Sequence, residues 1–353
     1  MIEIMDRWKV CIRCSTYNHS LYVAETLDGF VGQQTEFPYV AVIVDDASTD
    51  GEQQVLMNYL SDHFEKCELS DEYDREDDEA VIHFARHKEN KSCHFAVVLL
   101  KYNHNSQRLS KQHMFDIWQK YSEYVAICEG DDYWIDPLKL QKQVSVMNTD
   151  STCGMCYTKV KRWDEKRHDF KDVWGGSFVT FNNLLIENTV PTLSVILRND
   201  LLVRYYNEFP KGRNWLMGDY PMWLWFAIKG NITFMDDVTG VYRILPESAS
   251  HSKSLHKTWD FSESFLSVQK YYIEKYSDAI PNKDIPIIYG QLYSRIIPMA
   301  VALRKDDFLK EVKKTITPYS NLKLTVKASI CYRLRGIIRP FLICYYRYFG
   351  YTL

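Results

Sequence analysis

Short apolar runs alternate with segments of helical period along the first half of the chain. Residues 9–14, 40–44, 95–100 and 124–128 are β-branched and aromatic and read as buried strands. Apolar positions at helical spacing predict helices over 21–33 and 52–64, around Met114, Phe115, Ile117 and Trp118, and over 138–147. Strand and helix in regular alternation predict a parallel sheet with right-handed crossovers. The second half is less regular. It offers strands over 153–160 and 190–197, separated by a polar excursion at 162–176. An aromatic helix follows over 215–228, with Asp219 and Pro221 in its first turn, where helix starts favour them. A strand pair at 232–235 and 240–244 then gives way to helical pattern from Ser262 onward. No internal repeat is visible.

Ligands on such sheets bind beyond the carboxyl ends of the strands. Three predicted strand ends carry polar clusters, at residues 15–18, 45–50 and 129–132. In the last, Glu129, Asp131 and Asp132 would repel one another unless a cation or polar ligand sat among them. That arrangement points to a metal-phosphate site.

Composition refines the picture. With 353 residues, the chain can hold one large domain and an appendage, or two domains. Apolar residues make up 46% and charged residues 25%, values of a globular protein. The 25 Tyr and 9 Trp suit sugar and nucleoside pockets as well as a core. A net charge of −3 gives no argument for nucleic-acid binding. Charge is unevenly placed, however. Residues 61–80 hold ten acids and read as a solvated loop or helix face, whereas 321–353 hold six bases and no acid.

Met1 to Trp8 lacks the apolar core of a signal peptide, and no apolar run is long enough to span a bilayer. The nine cysteines are then expected to be reduced thiols in the cytoplasm. Two Cys-x-x-Cys pairs, Cys11/Cys14 and Cys153/Cys156, raise a zinc reading. They fall inside strand-like runs rather than on turns, so buried core thiols are the expectation.

The clusters Ser15-Thr16-Tyr17-Asn18, Asp45-Asp46-Ala47-Ser48-Thr49-Asp50, Glu129-Gly130-Asp131-Asp132 and Gly218-Asp219, in this order and spacing, resemble the inverting family 2 glycosyltransferases. The likeness covers about residues 8–250 and implies a GT-A (Rossmann-like), mostly parallel sheet flanked by helices. The domain division it implies is a GT-A domain at 1–250 and a helical C-terminal extension at 251–353. It implies a metal-assisted transfer of a sugar from a nucleotide donor, most simply UDP-linked, to a saccharide or lipid-linked saccharide acceptor. The product would belong to a surface polysaccharide or lipopolysaccharide of the cell envelope.

The same resemblance assigns roles. Asp46 would accept the N3–H of a uracil-like base, with Ser15 and Tyr17 lining that pocket and Asp131 holding the ribose. Asp132 would bind Mg²⁺ or Mn²⁺ on the diphosphate, with Glu129 nearby, and Lys111 is a further candidate for diphosphate contact. Asp219 would be the general base; Arg213 and Trp215 are acceptor-pocket candidates. Relatives often carry a His two residues after the Tyr-Arg pair of the last strand. Here Tyr242-Arg243 is followed by Ile244 and Leu245, which leaves Glu247 or His251 as substitutes. Two rivals are a nucleotidyltransferase and a nucleotide-sugar-binding relative without turnover. The first would need a glycine-rich phosphate loop, which residues 15–20 lack.

The basic tail at 321–353 mixes its charges with apolar and aromatic residues, a pattern that fits an anionic membrane surface. Peripheral contact with the inner face of the cytoplasmic membrane is the expectation; a terminal hairpin packed on the protein is the alternative.

Overall fold

A computed structural model describes residues 7–210, 212–245, 252–318 and 322–352. In chain order the first elements are β1 (Trp8–Thr16), α1 (Val23–Val31), β2 (Tyr39–Asp45), α2 (Glu52–His63), β3 (Phe64–Glu65), α3 (Ser70–Tyr73) and β4 (Arg75–Glu76). They are followed by β5 (Ala80–His87), β6 (Cys93–Leu100), α4 (Gln112–Gln119), β7 (Ser122–Ile127), β8 (Tyr133–Trp134) and α5 (Lys139–Thr149). Next come β9 (Cys153–Asp164), β10 (Asp169–Trp174), α6 (Phe181–Ile186), β11 (Ile196–Arg198), α7 (Asn199–Glu208), α8 (Asp219–Lys229) and β12 (Asn231–Ile244). The remainder is helical: α9 (Leu255–Lys275), α10 (Ile285–Ala302), α11 (Asp306–Ile316), α12 (Val326–Arg333) and α13 (Arg335–Tyr348).

Among the described residues the strands form one mixed sheet, with the path β3-β5-β6-β2-β1-β7-β11-β9-β12-β8. Its centre, β6-β2-β1-β7, is parallel as the alternation predicts. All seven residues of β2 are buried, which is why it reads as an unbroken apolar run. Alternate side chains go to opposite faces. Tyr39, Ala41 and Ile43 join a core with Leu27, Phe30 and Leu56 of α1 and α2. Val40, Val42 and Val44 join another with Met114, Phe115 and Trp118 of α4. Helices therefore cover both faces of the parallel centre, and the fold is the expected mixed α/β arrangement with a C-terminal helical region.

Two elements differ from their sequence-based expectation, and a third has none. Beyond the acidic stretch, which is mostly exposed, β5 is an outer strand antiparallel to β6. Its inward residues Ala80, Ile82 and Phe84 alternate with less buried ones, so the apolar signal is diluted. The polar excursion forms the β9–β10 hairpin, whose outer strand is exposed along most of its length. The expected pair at 232–235 and 240–244 is one strand, β12. The thiols of Cys11, Cys14, Cys153 and Cys156 lie in the core, and burial pushes Cys11 up to about 12.

Contacts divide the chain into two units. The first comprises Met1–Val179, Thr189–Phe209 and Lys229–Arg243; the second comprises Thr180–Asn188, Pro210–Ile228 and Ile244–Leu353. The second unit thus interleaves with the first along the chain, whereas the sequence reading draws a single boundary at 250. Inside the second unit, buried polar groups cross between helices. Tyr220 Oη donates to Leu184 O at 2.8 Å, Gln269 Nε2 to Leu185 O at 2.6 Å and Tyr272 Oη to Pro221 O at 2.7 Å. Helices α12 and α13 pack on α10. Among the described residues, no helix is long and apolar enough to cross a membrane.

Candidate active site

The register of the parallel centre brings three chain segments together. Thr16 at the end of β1 pairs with Asp45 at the end of β2, and Arg13 pairs with Ile127 of β7. Beyond the strands the ladder continues: Asp46 N donates to Thr16 O at 3.0 Å, Cys128 N to Arg13 O at 3.1 Å and Gly130 N to Ser15 O at 3.1 Å. The polar clusters at 15–18, 45–50 and 129–132 therefore lie side by side at the carboxyl edge. Ala47, immediately after Asp46, has φ of +58°, a left-handed backbone that costs a non-glycine residue energy and is common at functional sites.

One buried acid ties the first two segments. Glu52, at the start of α2, accepts from the Thr16 hydroxyl, from His19 N at 2.8 Å and from Ser48 Oγ at 2.8 Å. Burial raises its pKa, partly countered by these donors. Sequence reasoning did not single out Glu52, because its three partners lie in two loops.

Asp46 is buried. Its carboxylate accepts from His104 N at 2.6 Å, Asn105 N at 3.1 Å and Lys111 Nζ at 3.0 Å, while Asn103 Nδ2 donates to its carbonyl at 2.8 Å. The loop after β6 is thus folded onto this acid, and Lys111 is engaged with Asp46. Ser15 is half-buried, with its carbonyl in the ladder, and Tyr17 is exposed.

Asp131 and Asp132 differ sharply in environment. Asp132 is 3% exposed, whereas the Asp131 side chain remains partly open and lies 3.9 Å from His19 Nε2. Burial first, then the charges of Asp131 and Glu129, push the Asp132 carboxyl well above the usual carboxylate range. Arg243 near the end of β12 opposes this rise. Its backbone N–H donates to Asp132 Oδ1 at 2.8 Å and its Nη1 to Asp131 O at 2.6 Å. The same buried guanidinium pairs with Glu25 of α1, lies 3.5 Å from Glu165 and stacks over Tyr22 and Tyr133 at 4.8 and 4.9 Å. Arg243 is visible in the sequence only as part of a Tyr-Arg pair, and its partners come from three other segments, 22–25, 131–133 and Glu165. Thr26 Oγ1 completes the frame by donating to Gly130 O at 3.0 Å and Asp132 O at 2.7 Å.

Among the described residues no three His, Cys, Asp or Glu side chains form a metal cage. Asp132 is nevertheless a buried carboxyl whose charged form Arg243 compensates only in part, an environment that a cation would relieve. Mg²⁺ and Mn²⁺ commonly take one or two carboxylates and complete their shell with phosphate oxygens and water. The residues fit a cation that arrives with a diphosphate.

Three further predicted residues, Arg213, Trp215 and Asp219, belong to the second unit. Asp219 stands in the first turn of α8, in the second unit, and its Oδ1 accepts from Tyr220 N at 2.7 Å. Nearby, Trp215 packs against Tyr271 with ring centroids 5.4 Å apart, and the exposed Arg213 lies 5.0 Å from the Tyr271 ring. Glu247 and His251 lie outside the described residues.

No family profile matches the chain. Over 240 residues, 67% of its length, it is 29% identical to the uncharacterised protein Rv1520 of Mycobacterium tuberculosis, and it matches the uncharacterised protein Mb1547 of Mycobacterium bovis to the same extent. The match covers 59% of the length of these relatives. Among solved structures, S. aureus TarS superposes with a TM-score of 0.56 at 16% identity, covering 96% of this chain and 54% of TarS. TarS 1–349 in complex with UDP-GlcNAc gives 0.52 at 16% identity, over 98% and 93% of the two chains. The mannosyltransferase PcManGT from Pyrobaculum calidifontis, in complex with GDP-Man and Mn²⁺, gives 0.50 at 15% identity, over 95% and 87%. The chain has the mixed α/β fold of GT-A glycosyltransferases.

Proposed function

We propose that this protein is a glycosyltransferase of the inverting family 2 type. It would pass a hexosyl group from a nucleotide sugar, most simply UDP-linked, to a saccharide or lipid-linked saccharide of the cell envelope. The observation that carries the reading is the convergence of residues 15–18, 45–50 and 129–132 on one sheet edge around the buried Asp132. The fold likeness supports it, and the UDP-GlcNAc and GDP-Man in the matched structures indicate the class of donor.

In this reading Asp46 recognises the base, Ser15 and Tyr17 border it, and Asp131 holds the ribose. Asp132 would hold Mg²⁺ or Mn²⁺, which would offset the negative charge developing on the diphosphate leaving group. Arg243 fixes both aspartates from behind. Asp219 acts as general base: it takes the proton of the acceptor hydroxyl as that oxygen bonds to the anomeric carbon. The bond from that carbon to the diphosphate oxygen breaks on the opposite face, and the nucleoside diphosphate leaves with the electron pair. One displacement inverts the configuration, so no enzyme nucleophile is required. Arg213 and Trp215 would flank the acceptor, while Glu247 or His251 would assist the cation. Peripheral contact of residues 321–353 with the inner face of the cytoplasmic membrane would bring the enzyme to a lipid-linked acceptor.

A thermal-shift series of UDP- and GDP-sugars, with and without Mn²⁺, tests this directly. Stabilisation by a nucleotide sugar that depends on Mn²⁺ is expected, and indifference to every nucleotide would sink the reading. Asp219→Asn should keep donor binding while lowering transfer by about 100-fold or more; unchanged turnover would remove Asp219 from the mechanism.

A further inference from the structure

The two C-terminal helices each have an inner and an outer apolar side. Inward, Ala328, Cys331 and Leu342 are buried, and Thr325 N donates to Ser294 Oγ at 2.8 Å and Arg339 Nε to Ala302 O at 3.2 Å. Those contacts fix the helices on α10. Outward, α13 shows Ile337, Phe341, Tyr345 and Tyr348 at steps of four, four and three residues, one face of a helix. Ile337 and Phe341 are 71% and 70% exposed, and Val326 and Ile330 on α12 are exposed as well. Scattered apolar residues on a surface are ordinary, but a whole helix face is not.

We propose that this outer face of α13, together with the exposed apolar side of α12, lies in the plane of an anionic lipid bilayer. The proposal deepens the acceptor side of the function given above, yet it depends on lipid binding alone and not on sugar transfer. Charge selects the occupant. Between residues 312 and 353 the chain has eight Lys or Arg and no Asp or Glu. A second copy docked on this face would bring like charge against like charge, whereas anionic headgroups complement it. The chemistry of the face suits a headgroup boundary: aliphatic and Phe side chains for the acyl region, and Tyr and Arg for the interface. At 14 residues α13 is about 21 Å long and amphipathic, so it would lie on the bilayer rather than cross it.

Co-sedimentation of the full chain with vesicles is the test. Binding is expected to vesicles of phosphatidylcholine containing about a third phosphatidylserine or phosphatidylglycerol, and to weaken with added salt and with phosphatidylcholine alone. The double variant Ile337→Ser/Phe341→Ser removes two exposed side chains and should lower the partition coefficient by about tenfold or more. Its thermal melting should match the parent, so a loss of binding would not report unfolding. Failure of the parent to bind anionic vesicles would overturn the proposal, as would binding indifferent to the double variant. Sedimentation velocity addresses the competing occupant: a parent dimer that the double variant converts to monomer would assign the face to self-association instead.

Discussion

A methyl group on Gly130 would sit 2.1 Å from Thr16 Oγ1 and 2.5 Å from Thr16 Cβ, so the end of β1 would have to move. The Thr16 hydroxyl is already held by Glu52, which leaves the side chain little freedom to yield. Gly130→Ala should therefore cost about 1–3 kcal/mol, read as a lower denaturation midpoint, and should weaken the metal-dependent donor shift. The sequence shows Gly130 inside an acidic motif but not why glycine is needed there. That reason is a contact between two strand ends. Arg243 illustrates the same limit: a buried guanidinium that reaches three other segments looks like any Arg in a strand until those segments are assembled.

Between elements, the loops after β1 and β2 are joined through Glu52, which the sequence shows only as the first residue of a helix. Glu52→Gln keeps the size but replaces one oxygen of a charged acceptor by an NH₂, so the bond to His19 N loses its charge assistance and a hydroxyl must turn to accept. The expected loss is about 1–3 kcal/mol, seen as a lower midpoint in urea with unchanged slope. An unchanged midpoint would mean that the loops are fixed by other contacts. The strands of the parallel centre were legible in the sequence because both their faces are buried, giving runs such as Tyr39–Asp45. Outer strands were not. In β5, His83 and Arg86 interrupt the apolar positions, and β10 reads as loop because its side chains are mostly exposed. The carboxyl-edge clusters were legible as motifs, while their mutual hydrogen bonds depend on register, which no local pattern encodes.

Over the first unit as a whole, stability should depend on a buried lysine. Lys139 at the start of α5 lies in the core against the Trp134 ring, with Gln143 Oε1 as its acceptor at 2.8 Å, and burial lowers its pKa to about 7. An unfolded lysine titrates near about 10.4. Between these values the unfolded chain binds a proton that the native state has released, so stability rises with pH across that window. Below about pH 7 both states are charged and the full burial penalty applies. Lys139→Met should therefore be the more stable protein near about pH 6, by on the order of a few kcal/mol less the lost Gln143 contact. That advantage should fade toward about pH 10. Urea unfolding at a series of pH values measures it, and a constant difference would contradict the titration. The loop folded on Asp46 has a kinetic consequence. A carboxylate offers about four acceptor positions, and His104, Asn105 and Lys111 occupy three. Burial closes the fourth, so if the proposed base recognition by Asp46 holds, a base would wait for the loop to let go, and the rate of nucleotide capture would level off at high concentration, at the loop's own rate of release.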